Sequence, residues 1–131
     1  MRTGMTSLTL LFAAALATPS AANEQRVVHY EPEQVQLTGT VKRRSFLINP
    51  GTGHETLEVK EILELDEAVQ VASSSGRYRI ETSEFQIAGA TPELLAESVG
   101  RRVKLTGTLF PPHNKRHFTK VLVFARRIEK L

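Results

Sequence analysis

Three histidines and a run of cations are the residues best suited to chemistry. His54 follows the turn signal Asn49-Pro50-Gly51-Thr52-Gly53, while His113 and His117 bracket the polar stretch Asn114-Lys115-Arg116. Neutral imidazole is a common metal ligand, and three that converged would suit zinc or copper. His113 and His117 are four residues apart, yet Pro111-Pro112 just before them disfavours the helix that would align them. The expectation is solvated loop histidines, with no metal and no other cofactor. Arg43, Arg44, Lys115, Arg116 and Lys120 form the second constellation. Such groups bind carboxylate or phosphate oxygens, arginine with two-pronged geometry. Phe46, Phe110 and Phe118 lie beside them and offer aromatic faces on which a sugar or base can stack. The alternative is that these aromatics close the mouth of the barrel, the role that suits Phe110 better.

Catalysis has little to stand on. The chain has no cysteine, which excludes thiol catalysis, haem attachment and cysteine-held metal. Asp66 is the only aspartate and reads as the start of a turn, and Ser73-Ser74-Ser75 have no histidine nearby in sequence. No motif places a pair of glutamates. The chain reads as a binding protein rather than an enzyme.

Charge is divided along the chain. Residues 101–131 carry nine Lys or Arg against Glu129 alone, whereas residues 23–100 carry seven basic and thirteen acidic side chains. A basic C-terminal third fits an anionic partner, although a solvated strand pair with internal ion partners would show the same split.

The elements that must position these residues read as mostly β. Residues 23–33 form a leader arm, and in residues 34–46 Val35, Leu37, Gly39 and Val41 alternate with polar neighbours. Residues 55–71 are ambiguous: Val59, Ile62, Leu63 and Val69 fit a helical stripe. The pairs Leu57 with Val59 and Leu63 with Leu65 fit a strand interrupted by a phase slip. A barrel lacking this strand would have two open edges, so strand is expected. Residues 73–76 are a loop and residues 78–88 a strand. Thr91-Pro92-Glu93 starts a short helix that Gly100 can end. Residues 102–110 and 117–128 are the last two strands, the latter central because Val121 to Ala125 is apolar on both faces. The expected fold is a small five-stranded barrel of the OB type, with one short helix between strands three and four. A two-layer α+β sandwich is the alternative.

One internal echo stands out. Gln34-Val35-Gln36-Leu37-Thr38-Gly39-Thr40-Val41 recurs as Arg102-Val103-Lys104-Leu105-Thr106-Gly107-Thr108-Leu109, 68 residues later. Two copies do not make a solenoid. They suit two strands that share an inward apolar row and a glycine where the barrel bends.

The first residues decide the compartment. Arg2, the apolar run of residues 8–17 and the small residues Ser20-Ala21-Ala22 read as a secretory signal peptide cut after Ala22. The organisation is then 1–22 signal peptide, 23–33 arm and 34–131 barrel domain, periplasmic or secreted. In that compartment nucleic acid is a poor candidate partner.

Several of these segments carry a resemblance. Gly107-Thr108-Leu109-Phe110 with His113, His117, Thr119 and Val121-Leu122-Val123 resembles an exported bacterial domain family without an assigned activity. Val35-Leu37-Gly39 with Arg43-Arg44, Ile62-Leu63-Glu64-Leu65-Asp66, and Thr91-Pro92 through Gly100 extend the likeness over nearly all of residues 23–131. The family's loop before the last strand is richer in histidine; here Lys115 and Arg116 take part of it. The resemblance implies an OB-like fold and brings no activity with it. More distantly, the chain is similar to the exported bacterial OB-fold stress proteins.

Loops after the first strand and before the last flank one end of an OB barrel's binding face. The candidate ligand surface is therefore Arg43, Arg44, Phe46, His54, His113, Lys115, Arg116, His117 and Phe118. The expected role is a binding module for an anionic envelope polymer, glycan or peptide; the alternative is an inhibitor or immunity-type protein that blocks an envelope-targeting enzyme. Intact mass of the protein from a periplasmic fraction should correspond to a chain beginning at Asn23, and retention of Met1 there would overturn the export reading.

Overall fold

The computed structural model describes residues 25–131. The signal peptide and its cut after Ala22 lie outside the described residues. The elements are β1 (Val27–His29), β2 (Gln34–Ile48), β3 (Thr56–Ala72), β4 (Arg79–Ala88), α1 (Pro92–Ser98), β5 (Arg102–Phe110) and β6 (Val121–Lys130). Among the described residues no helix is long and apolar enough to cross a membrane.

Alternation on β2 and β5 places Val35, Leu37, Val41, Val103, Leu105 and Leu109 inside. They meet Leu63, Phe85, Val121 and Val123 in one core. The strands close into a ring, β2–β3–β4–β6–β5–β2, in which β4 and β6 run parallel and the other neighbours antiparallel. The barrel expectation is met, and the α+β sandwich is not what forms. The helix falls between β4 and β5 rather than between strands three and four, because the leader arm contributes a strand of its own, β1, parallel to β3. Thr91 caps α1 by accepting from the Leu94 amide at 3.2 Å. The helix exit is stitched to β2: the Gly100 amide donates to the Val41 carbonyl at 2.7 Å and the Val41 amide to the Arg101 carbonyl at 3.1 Å.

The ambiguous segment is one continuous strand. Its helical stripe gives way because each face meets a different environment. Ile62 and Leu63 are buried on opposite faces, while Leu57 and Val59 belong to the outer part of the β2–β3 hairpin and are 70% and 52% exposed. The phase slip comes later than the sequence suggests, between Glu64 and Val69 in the pairing with β4. Asp66 lies within that irregular stretch of β3 instead of opening a turn, and its Oδ2 stands 2.7 Å from Arg102 Nη2. The last strand begins at Val121, not at residue 117, and residues 111–120 form a loop.

The two echoing segments are neighbours. Leu37 of β2 faces Leu105 of β5, so each copy pairs antiparallel with the other about a local two-fold through these leucines. Both glycines of the repeat then meet the same constraint. A Cβ on Gly39 would strike the backbone carbonyl of Glu64 in β3, and one on Gly107 would strike the carbonyl of Phe124 in β6. Each lies where a neighbouring strand loses register: β3 after Glu64, and β6 between the partners of Gly107 and Thr106. Gly39→Ala and Gly107→Ala should each destabilise the fold by about 1–3 kcal/mol or more, since backbone cannot step aside as a side chain can. Leu37→Ala and Leu105→Ala should cost about 2–5 kcal/mol. Urea denaturation reads both sets, and an unchanged midpoint for Gly39→Ala would refute the close crossing.

Candidate functional site

The loop of residues 111–120 runs along the outer wall of the barrel, and Gln86 of β4 holds it there. Gln86 points outward, yet it is only 5% exposed. Its Nε2 donates to the Arg116 carbonyl at 3.0 Å, and its Oε1 accepts from the Phe118 amide at 2.8 Å. The Gln86 amide donates to Thr119 Oγ1 at 2.9 Å, and that hydroxyl donates to the Val121 carbonyl at 2.7 Å. Buried amides left without partners are costly, so this set of bonds is worth most when complete. Ile62 and Leu122 are the cross-strand neighbours of Gln86, fully buried although separate from the main core. An outward row this dry needs a cover, and the pinned loop supplies it. That is why β6 reads as apolar on both faces at Leu122.

Alternation decides which of the sequence-predicted residues reach the loop. Phe46 of β2 faces it, and its ring stacks on Phe118 with centroids 4.3 Å apart and planes 2° from parallel. Arg116 donates to Glu58 Oε2 at 2.5 Å, while Lys60 Nζ stands 2.8 Å from Glu58 Oε1. Lys60, and after it Arg116, hold the Glu58 carboxyl below the usual carboxylate range. Arg44 donates to Glu84 and lies 3.9 Å from Glu64. That hydrogen bond keeps the Glu84 carboxyl low and the Arg44 guanidinium firmly protonated. Arg43 faces the other side of the hairpin, where its Nε donates to Glu61 at 3.1 Å. Arg44, Phe46, Arg116 and Phe118 are thus brought together, with both arginines engaged by carboxylates; Arg43 is not part of the group.

The histidines divide in the same way. The His113 amide donates to His117 Nδ1 at 3.1 Å, and the two rings meet edge to face at 4.6 Å. Phe110 lies 5.7 Å from each ring. Burial, then the nearby His113 and Lys60 charges, push His117 below the ordinary imidazole range. His54 sits in the hairpin loop, its amide bonded to Thr52 Oγ1 at 3.1 Å. Among the described residues no group of three or more His, Asp or Glu side chains is arranged to hold a metal ion. The convergence of three imidazoles does not form, because Gln86 draws one loop against the barrel wall while His54 belongs to the other.

On the β6 side of the pinned loop lies a shallow groove of about 330 Å³, lined by Glu31, Thr108, Phe110, His113, Phe124 and Arg126. Sequence reasoning places Phe110 and His113 near a site and misses the rest. Phe124 is hidden in an apolar run, and Arg126 stands two residues on along the same outward face, at the change of register opposite Gly107.

Fold and site together define a small closed mixed β-barrel with a long loop clamped to its wall beside an open groove. Residues 84–129, from within β4 to near the end of β6, match a protein family described as Domain of unknown function (DUF4431). That stretch holds Gln86, the loop and five of the six groove residues. No curated protein sequence matches the chain.

Gln86→Leu removes the side-chain partners of Arg116 and Phe118 and should cost about 1–3 kcal/mol. Amide exchange should quicken over residues 113–119 more than in the barrel strands; equal protection would refute the clamp. Acidification tests the same loop. A histidine whose folded value is depressed contributes stability at neutral pH that is lost as pH falls through the ordinary imidazole range toward that folded value. Loop protection should therefore fall with pH in wild type, and His117→Gln should flatten the dependence.

Proposed function

We propose that the protein is a non-enzymatic binding module of the bacterial envelope, periplasmic or secreted, that holds an anionic ligand on the loop side of its barrel. With β2 counted first, the ring order is one-two-three-five-four, and a helix lies between the third and fourth strands. This connectivity supports an OB-like reading, in which the loops flanking strands one and two and strands four and five frame the binding surface.

One observation carries the reading. Among the described residues, carboxylates approach Arg43, Arg44 and Arg116 within 4.0 Å, but none approaches Lys115, Lys120 or Arg126 so closely. The first three are occupied by carboxylates: Arg44 and Arg116 hold the loop side together, and Arg43 braces the opposite face of the hairpin. The latter three leave positive charge around the loop uncompensated, which favours an anionic glycan or peptide. Charge reversal at Arg44 would also set a third carboxylate against Glu64 and Glu84, so it tests folding as much as binding.

A second reading, an inhibitor or immunity-type protein, draws on a different surface. Leu47 pairs with Leu57 on the outer hairpin and, with Val59, leaves an apolar patch whose members are 49%, 70% and 52% exposed. Retention of envelope polymers from an extract at two salt concentrations separates the readings. Polymer binding should weaken at high salt and vanish in Lys115→Glu/Lys120→Glu/Arg126→Glu, with the unfolding free energy in urea within about 0.5 kcal/mol of wild type. A salt-tolerant one-to-one complex lost in Leu57→Ser would favour the inhibitor instead.

A further inference from the structure

We propose that the groove beside β6 is a subsite for one carboxylate-bearing pyranose, the repeating unit of an acidic polysaccharide. The inference rests on the binding-module reading and gives it a ligand class.

The starting point is Phe124. It shares the outward face of β6 with Leu122, but Leu122 is covered by the pinned loop, whereas Phe124 is 43% exposed. A lone exposed phenylalanine is ordinary. This one is supported. Its ring lies against Gly89, with three ring atoms within 3.0 Å of where a Cβ would stand. Gly89 has φ +82°, a conformation that favours glycine for a second reason. Any side chain at residue 89 would displace the ring, so the aromatic surface owes its position to the glycine.

The cation follows two residues later on the same outward face. β6 pairs Ala125 with Gly107 and Arg127 with Thr106, which makes Arg126 the extra residue of a bulge. Its guanidinium carbon lies 5.6 Å from the centroid of the Phe124 ring. Thr108 is the cross-strand partner of Phe124 and brings a hydroxyl to the groove. The rest of the lining is Phe110 at the end of β5, His113 of the loop and Glu31 of the leader arm.

These groups select against most anions. Inorganic phosphate would use Arg126 but gain nothing from two aromatic rings. A neutral sugar would use the rings and leave the guanidinium without a partner. An acidic pyranose uses them all. Its C–H face meets the electron-rich ring of Phe124. Its carboxylate accepts two parallel hydrogen bonds from Arg126. Its hydroxyls donate to Glu31 and exchange hydrogen bonds with Thr108 and His113. The groove's volume suits one ring, so affinity for a polymer would come from several such units engaging the wider cationic loop.

The test is titration of the protein with an oligogalacturonate, with a neutral oligogalactoside, inorganic phosphate and polyglutamate as comparators, followed by amide chemical shifts. The oligogalacturonate should bind with shifts centred on residues 108, 110, 113, 124 and 126, while the neutral sugar and phosphate bind at least about tenfold more weakly. Arg126→Gln should weaken it by about tenfold or more, the size of a charge-assisted hydrogen-bond pair. Phe124→Ala should do likewise with its melting temperature checked, and Gly89→Ala should reduce affinity through the ring's position. Oligogalacturonate binding that is indifferent to Arg126→Gln and Phe124→Ala would overturn the subsite while leaving an anionic-polymer module standing. Polyglutamate binding without oligogalacturonate binding would overturn the sugar assignment alone. Failure of every anion to bind would remove the binding-module reading as well.

Discussion

Two places where backbone presses on backbone, at Gly39 against β3 and at Gly107 against β6, set the shape of this molecule. A small barrel must turn its strands sharply, and the tightest turns leave no room for a side chain on the inner strand. Because β2 and β5 are near copies paired about Leu37 and Leu105, the same solution appears twice, related by the local two-fold. The consequence reaches the surface. Opposite Gly107 the register of β6 changes, so that Arg126 and Arg127 are both exposed in succession and Ile128 returns to pack on the core. A demand of the core thus determines which side chains the outside presents.

The long loop before β6 obeys a different logic. It carries no secondary structure, and its sequence is strongly polar. It stays ordered because Gln86 offers one donor and one acceptor to backbone groups that packing has taken from water. The stacked pair Phe46 and Phe118 and the ion pair of Arg116 with Glu58 then add specificity of position more than energy, since part-exposed ion pairs contribute modestly. Much of the charge split along the sequence is resolved by such pairs between elements, as with Arg102 and Asp66 across strands or Lys130 of β6 and Glu97 of α1.

Most of the barrel was legible in the sequence because its signals are local. Alternation marked β2 and β5, Thr91-Pro92 and Gly100 bounded the helix, and the strand over residues 57–65 followed from the need to close the sheet. The site was only partly legible. Phe46, Arg44, Arg116 and Phe118 do come together, but which face each side chain takes depends on strand phase, and Arg43 falls on the wrong side by one residue. Gln86 gave no signal, since a glutamine in a strand looks solvated until a loop lies across it. Phe124 was obscured by the apolar run around it, and the bulge that exposes Arg126 and Arg127 in succession is one that no period in the sequence reports.

The hairpin of β2 and β3 continues well past the barrel, pairing as far as Ile48 with Thr56. Out there it is a two-stranded ribbon supported on one side only, by the loop that stacks Phe118 on Phe46; its other side bears the open Leu47, Leu57 and Val59. Ribbons of two strands are marginal in water without such support. Ribbon and loop therefore form a single cooperative unit that opens at lower free energy than the barrel beneath. When the loop lifts, the ribbon frays with it, and the outer row of Ile62 and Leu122 is wetted in the same event.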